Sequence, residues 1–137
     1  MKSEAGVKKY IYDWLVGLNI GQVFQDRKPF DDTTKQRSIR TYMIYDFPDG
    51  IEDQGPWFYG VCTVCVGCRD KERFVADLNT LDKACATFLA EFNHNDDENK
   101  VYCIAPELED DYSDDVGNHE YRYSFEVYAS KDPEAQG

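Results

Sequence analysis

One stretch constrains the fold more than any other: Phe74, Leu78, Leu81, Cys85, Phe88, Leu89 and Phe92 recur at helical spacing. A stripe of this length commits the segment to an amphipathic helix with one face to bury. Asp70 stands where an N-cap would, Glu72 falls in the first turn, and Asn93 can close the far end. Such a helix must lie on a sheet or on another helix, so the segments around it decide the fold class.

Those segments alternate. Tyr121, Tyr123, Phe125 and Val127 interleave with Arg122, Ser124, Glu126 and Tyr128, the pattern of a half-exposed strand. Val101, Cys103 and Ile104 suggest a short strand before it. Upstream, residues 57–66 are rich in aromatic and β-branched side chains, and Ile39, Thr41, Met43 and Tyr45 alternate with Arg40, Tyr42 and Ile44. The turn formers of residues 46–56 join these two strands as a long-looped antiparallel hairpin, and residues 22–36 read as a connecting loop. At the N-terminus, Val7, Ile11, Trp14, Leu15 and Leu18 mark a first helix, with Ser3 as cap and Gly17 or Gly21 as terminator.

The order α-β-β-α-β-β predicts an α+β fold, with one four-stranded antiparallel sheet packed on the central amphipathic helix. At 137 residues, one domain over residues 1–130 is expected, with residues 131–137 as a disordered tail.

Charge excludes some functions. The chain carries a net −12, divided as +3 over residues 1–45 and −15 over residues 46–137. Phosphate backbones and anionic membrane surfaces both select cationic proteins, so neither is an expected partner. The asymmetry favours head-to-tail self-association. No apolar run reaches the ~18 residues of a membrane span, and Met1–Glu4 lacks the apolar run of a secretory signal, so cytosolic synthesis is expected.

Cys62, Cys65 and Cys68 form C-x2-C-x2-C, a spacing that suggests zinc. On a strand, however, residues three apart face opposite ways, and a zinc site needs four converging ligands. Cys85 falls on the helical stripe. The cysteines are therefore expected to pack as small hydrophobes, with no metal and no cofactor. The run Glu107, Glu109, Asp110, Asp111, Asp114 and Asp115 fails the EF-hand pattern, since Val116 and Arg122 stand where Gly and Glu are needed. It reads as a solvated acidic loop. His94 and His119 sit beside Asn in expected loops with no nucleophile at recognisable spacing, so local bonding is preferred to catalysis. No phosphate loop, H-E-x-x-H or nucleophile elbow occurs, and the chain is not expected to be an enzyme. Arg69, Asp70, Lys71 and Arg73 form a mixed-charge cluster at a strand-to-helix junction, a candidate subunit contact.

Four stretches carry a resemblance: residues 7–15 as the N-terminal helix, 57–66 as a strand, 73–78 opening the central helix, and 119–127 as the last strand. Their order and spacing resemble the tail-terminator and tail-completion proteins of long-tailed bacteriophages, with the related minor capsid and head–tail joining proteins. The resemblance implies a ring-forming homo-oligomer at the head–tail junction, partnered by other tail or connector proteins and carried in the virion after assembly in the host cytoplasm. In that setting an acidic lumen lets DNA pass without gripping it, and residues 107–115 would line the lumen or rim. The Cys-rich second strand is a departure from the group. Two other classes compete: an acidic binding module (a DNA mimic or inhibitor acting as monomer or dimer), and an enzyme with a pocket that the sequence does not reveal.

Overall fold

The computed structural model describes residues 3–26, 40–72, 75–113 and 117–131. Among these residues two helices, α1 (Glu4–Gly17) and α2 (Leu78–Leu89), accompany seven strands: β1 (Gln22–Gln25), β2 (Thr41–Asp46), β3 (Ile51–Asp53), β4 (Trp57–Arg69), β5 (His94–Asp96), β6 (Val101–Ser113) and β7 (Asn118–Ser130).

The expected four-stranded antiparallel sheet on a central helix is overturned. The protein is mostly β, with one curled, mixed sheet of seven strands in the order β1-β2-β4-β7-β6-β5, and β3 paired beside β2 on the same edge of β4. β1 runs parallel to β2, and every other pairing is antiparallel. Three strands were missed for a shared reason. β1, β3 and β5 are three or four residues long and bury at most one side chain each, so they have almost no alternation to detect. The acidic segment was missed differently. Glu107–Ser113 reads as a loop by composition, yet its backbone pairs with β7 through two irregularities in register. Ladder hydrogen bonds need only main-chain groups, which an acidic sequence supplies as well as any other.

The helices also differ in detail. Ser3 caps α1 by accepting from the Gly6 N–H at 3.0 Å. α2 begins later than expected: Asp77, not Asp70, is its N-cap, accepting from the Thr80 N–H at 3.2 Å and from Thr80 Oγ1 at 2.8 Å, and Arg40 ion-pairs with it. Both helices lie on one face of the sheet. Val7, Ile11 and Leu15 of α1 and Leu81, Ala84, Cys85 and Phe88 of α2 share a core with the inward residues of β2, β4, β6 and β7. Phe88 and Phe92 pack edge-on at 5.2 Å, and Phe125 lies within 5.0 Å of Phe92 and 5.9 Å of Trp14. Phe92 thus completes the apolar stripe after the helix has ended. Lys131, expected to start the tail, is fixed by Asp53 at 2.7 Å and by its own N–H to the Pro56 carbonyl. Residues 132–137 lie outside the described residues, as do Arg73 and Phe74.

Candidate functional site

Two places gather polar side chains. The first ties α1 to β5. Tyr10 Oη lies 2.5 Å from Asp96 Oδ2 and 2.7 Å from His94 Nε2, while the His94 ring stacks on Trp14 with centroids 4.6 Å apart. Burial raises the Tyr10 phenol well above its ordinary value, and the neighbouring Asp96 carboxylate raises it further. Burial likewise lowers His94, against the pull of Asp96 and Glu91. For Asp96 burial favours the neutral acid, but hydrogen bonds from Tyr10 and Asn99 outweigh it and hold the carboxyl below its usual range. A tyrosine, a neutral histidine and a carboxylate suggest general acid–base chemistry.

The thiol that faces this cluster is not set up as a nucleophile. Cys103 faces His94 across the β5–β6 ladder, but it is fully buried and burial pushes its thiol up to about 12. Catalytic thiols are shifted the other way. His94, expected to bond locally in a loop, opens a strand and meets Tyr10 of α1, 84 residues away in sequence. His119 also lies on a strand, 2.6 Å from Asp111 Oδ1.

The second place is the outer face of the sheet, opposite the helices, where β2, β4, β7 and β6 contribute matched rows. In one row Tyr42, Gly67, Glu120 and Tyr112 are successive register partners. The Tyr42 ring lies flat across Gly67, so close that a Cβ there would stand 2.3 Å from Cζ, and its hydroxyl donates to Glu120. Both are buried. In the next row Ile44, Cys65, Arg122 and Asp110 are partners, and Arg122 Nε donates to Cys65 Sγ at 3.5 Å. Cys62 and Cys68 point to the core instead, and burial raises the thiols of Cys62, Cys65 and Cys68 alike. All five cysteines are free and buried, and among the described residues no three of His, Cys, Asp and Glu gather as metal ligands do.

Beyond these rows the outer face opens into a groove of about 360 Å³. Val61, Thr63, Arg122 and Ser124 form its floor, Pro48 and Asp49 one wall, and Glu109 and Asp110 the other. Ser124 Oγ donates to Glu109. Arg122 is the single cation of this lining, and its bond to Cys65 followed by the nearby Asp110 and Glu120 carboxylates keeps it charged. With its charge already matched, it has little to offer an anion.

The sequence-predicted residues fall in different places. Glu107 and Asp110 face outward from β6 opposite Ser124 and Arg122, Glu109 bonds Ser124, and Asp111 takes His119. The acidic segment is therefore one wall of a sheet and not a free loop, and Asp114 and Asp115 lie outside the described residues. At the expected subunit contact, Arg69 ends β4 with its N–H on the Arg40 carbonyl. The buried Asp70 donates its N–H to Gly117, and Lys71 donates its own to Val75. All three are main-chain bonds, and Arg73 lies outside the described residues. The reading from sequence missed Tyr10 with Asp96, which meet where α1 packs on β5, and Tyr42 with Glu120 and Arg122, which strand register gathers on the outer face. One signal was available: Glu120, Arg122 and Ser124 fall on the side of β7 that alternation assigns to solvent. No protein-family model matches the chain, and no curated protein matches it in sequence.

Proposed function

We propose that the chain is a structural subunit of a phage or prophage tail, of the tail-terminator, tail-completion or minor-capsid kind, forming a ring at the head–tail junction. The observation that carries this reading is the separation of charge across the sheet. The carboxylates Glu107, Glu109, Asp110 and Asp111 lie on β6 toward one end of the strand order, and Lys8 of α1 lies beside β1 at the other, next to Lys9, which is paired with Asp13. Unlike ends of one body favour head-to-tail contacts, which close into rings when the rotation allows.

Two further points support a structural role over a catalytic one. The Tyr10–His94–Asp96 groups are spent on one another, and the thiols are buried and raised in pKa. Three of the four stretches that carry the resemblance also lie in elements of the expected type, residues 7–15 in α1, 57–66 in β4 and 119–127 in β7, while the third ends at Leu78, where α2 begins. In this reading the protein has no cofactor, binds no nucleic acid specifically, and is a virion component whose partners are tail and connector proteins.

One observation favours a second reading, an acidic binding module acting as monomer or dimer: the carboxylates of β6 are fixed on a strand, as a rigid mimic of a phosphate row would need. Electron microscopy and light scattering over a concentration series separate the two. Closed rings are the expected result, and a monomer or dimer at every concentration overturns the tail reading.

A further inference from the structure

Independently of that reading, we infer that the outer face of the sheet carries a row of aromatic rings on which arginine side chains of a partner protein dock. Glu52 of β3, Tyr59 of β4, Tyr128 of β7, Tyr102 of β6 and Asn95 of β5 are successive register partners, so the row crosses the whole sheet on one face. The Tyr59 and Tyr128 rings lie 4.9 Å apart, and Trp57, two residues before Tyr59, reaches Tyr102 at 6.2 Å. All four rings are half-exposed. They face away from both helices and fill no part of the core. Half-wet aromatic surfaces of this kind are enriched where proteins meet partners.

The hydroxyls decide the ligand chemistry. Tyr59 donates to Glu126 and Tyr102 to Asp97, each at 2.9 Å, so both O–H donors are committed. Those bonds raise both phenols above their ordinary value and keep them neutral. A ligand therefore meets π faces and carboxylate oxygens, and both attract cations. This row and the next, Val61, Glu126 and Ile104, supply the carboxylates Glu52 and Glu126 and no cation. Their partners are neutral, Tyr59 for Glu126 and Gln54 for Glu52. Lys100 stands beyond the Trp57 end, its carbonyl on the Ser130 N–H, and Lys131 is held by Asp53 beside the inward Phe58. A guanidinium stacks flat on a ring and forks onto a carboxylate, which an ammonium does not. Four residues further along β4 and β7, about 13 Å away, the groove sets Asp49, Glu109 and Asp110 around Arg122. An extended segment Arg-x-Val-x-Arg fits this spacing. Its first arginine lies on Tyr59 and Tyr128, its valine over the exposed Val61, and its second arginine between Asp49 and Glu109.

The probe is the capped peptide Arg-Ser-Val-Ser-Arg, titrated into the full chain beside its charge-matched control Lys-Ser-Val-Ser-Lys. Of the two tryptophans, Trp57 reports this face and Trp14 the helix side. The arginine peptide should change the tryptophan fluorescence, and Trp57→Phe should abolish the change. It should bind about 3-fold or more tightly than the lysine peptide. Tyr128→Thr, which keeps a strand-forming residue, should weaken it about 5-fold. Glu126→Gln should weaken it about 2-fold, while Asp82→Asn, which removes the same charge from α2 on the other side of the sheet, should leave it unchanged. Should Tyr128→Thr prove misfolded by circular dichroism, the peptide contrast and the two charge-matched variants still decide. Equal affinity for both peptides, no binding of either at millimolar concentration, or equal weakening by Glu126→Gln and Asp82→Asn overturns the inference. None of these outcomes bears on ring formation, which microscopy tests separately.

Discussion

Cys62 and Cys65 lie three residues apart on β4 and meet opposite surroundings. Cys62 enters a core of aliphatic and aromatic side chains shared with two helices, and its thiol donates to the adjacent Thr63 carbonyl at 3.8 Å. Cys65 sits on the outer face in a row of named partners, receiving the Arg122 N–H and lying between Ile44 and Arg122 in register. The inner face is held by volume and the outer face by individual fits. Stability is therefore concentrated on one side of the sheet, and on the other it depends on a few pairs that can be removed one at a time.

The largest break comes on the inner side. Phe88 is fully buried and touches the rings of Trp14, Phe92, Tyr123 and Phe125. Phe88→Ala should cost about 3–5 kcal/mol through lost transfer energy and the cavity left behind. That is much of the ~5–15 kcal/mol available to a domain of ordinary stability. Urea unfolding measures it. A cost below about 1 kcal/mol would mean the helices are not the lid of the core.

A smaller break sharpens the picture of the outer face. Gly67→Ala puts a methyl 2.3 Å from the Tyr42 ring, which cannot swing aside because it is fully buried and its hydroxyl is held by Glu120. Overpacking of this kind costs about 1–3 kcal/mol. In a Tyr42→Ala background the same substitution should be neutral or mildly stabilising, since Ala loses less conformational entropy than Gly. The double-mutant cycle in denaturant reads the difference. Equal costs in both backgrounds would show that the ring is not what requires glycine.

The two faces also differ in how far the sequence reveals them. The inner face was legible: Val7, Ile11 and Leu15, then Leu81, Cys85 and Phe88, then Tyr123, Phe125 and Val127 all occupy the core their spacing predicts. Burial imprints a period on sequence. The outer face has no such imprint, because a Tyr42–Glu120 contact joins positions 78 residues apart and depends on register alone. The sheet was underestimated for the same reason, since Glu107–Ser113 pairs through a backbone whose side chains stay in water. The α2 start was misjudged because Asp70 and Asp77 are equally good caps by residue type, and only the Thr80 and Arg40 partners distinguish them.

The smallest effect probes a cost on the outer face. Asp46 ends β2 opposite Thr63, and burial raises its carboxyl above the ordinary value, with Asp26 adding to the shift and Arg122 opposing it. Below the unfolded value of 3.8 the group is neutral in both states and affects stability little. As pH climbs through the raised folded value, the unfolded chain is already ionised while the folded one resists, so stability declines across that window. Asp46→Asn cannot ionise and escapes the decline. It should gain about 0.5 kcal/mol at pH 7, a figure kept small because the side chain is only half-buried and water screens it. At pH 3 the gain should vanish. Thermal melts of the two proteins at both pH values test the sign: a variant less stable at pH 7 would mean that the attraction of Arg122 outweighs burial, and that the outer face uses this carboxylate as a partner, as it uses Glu120.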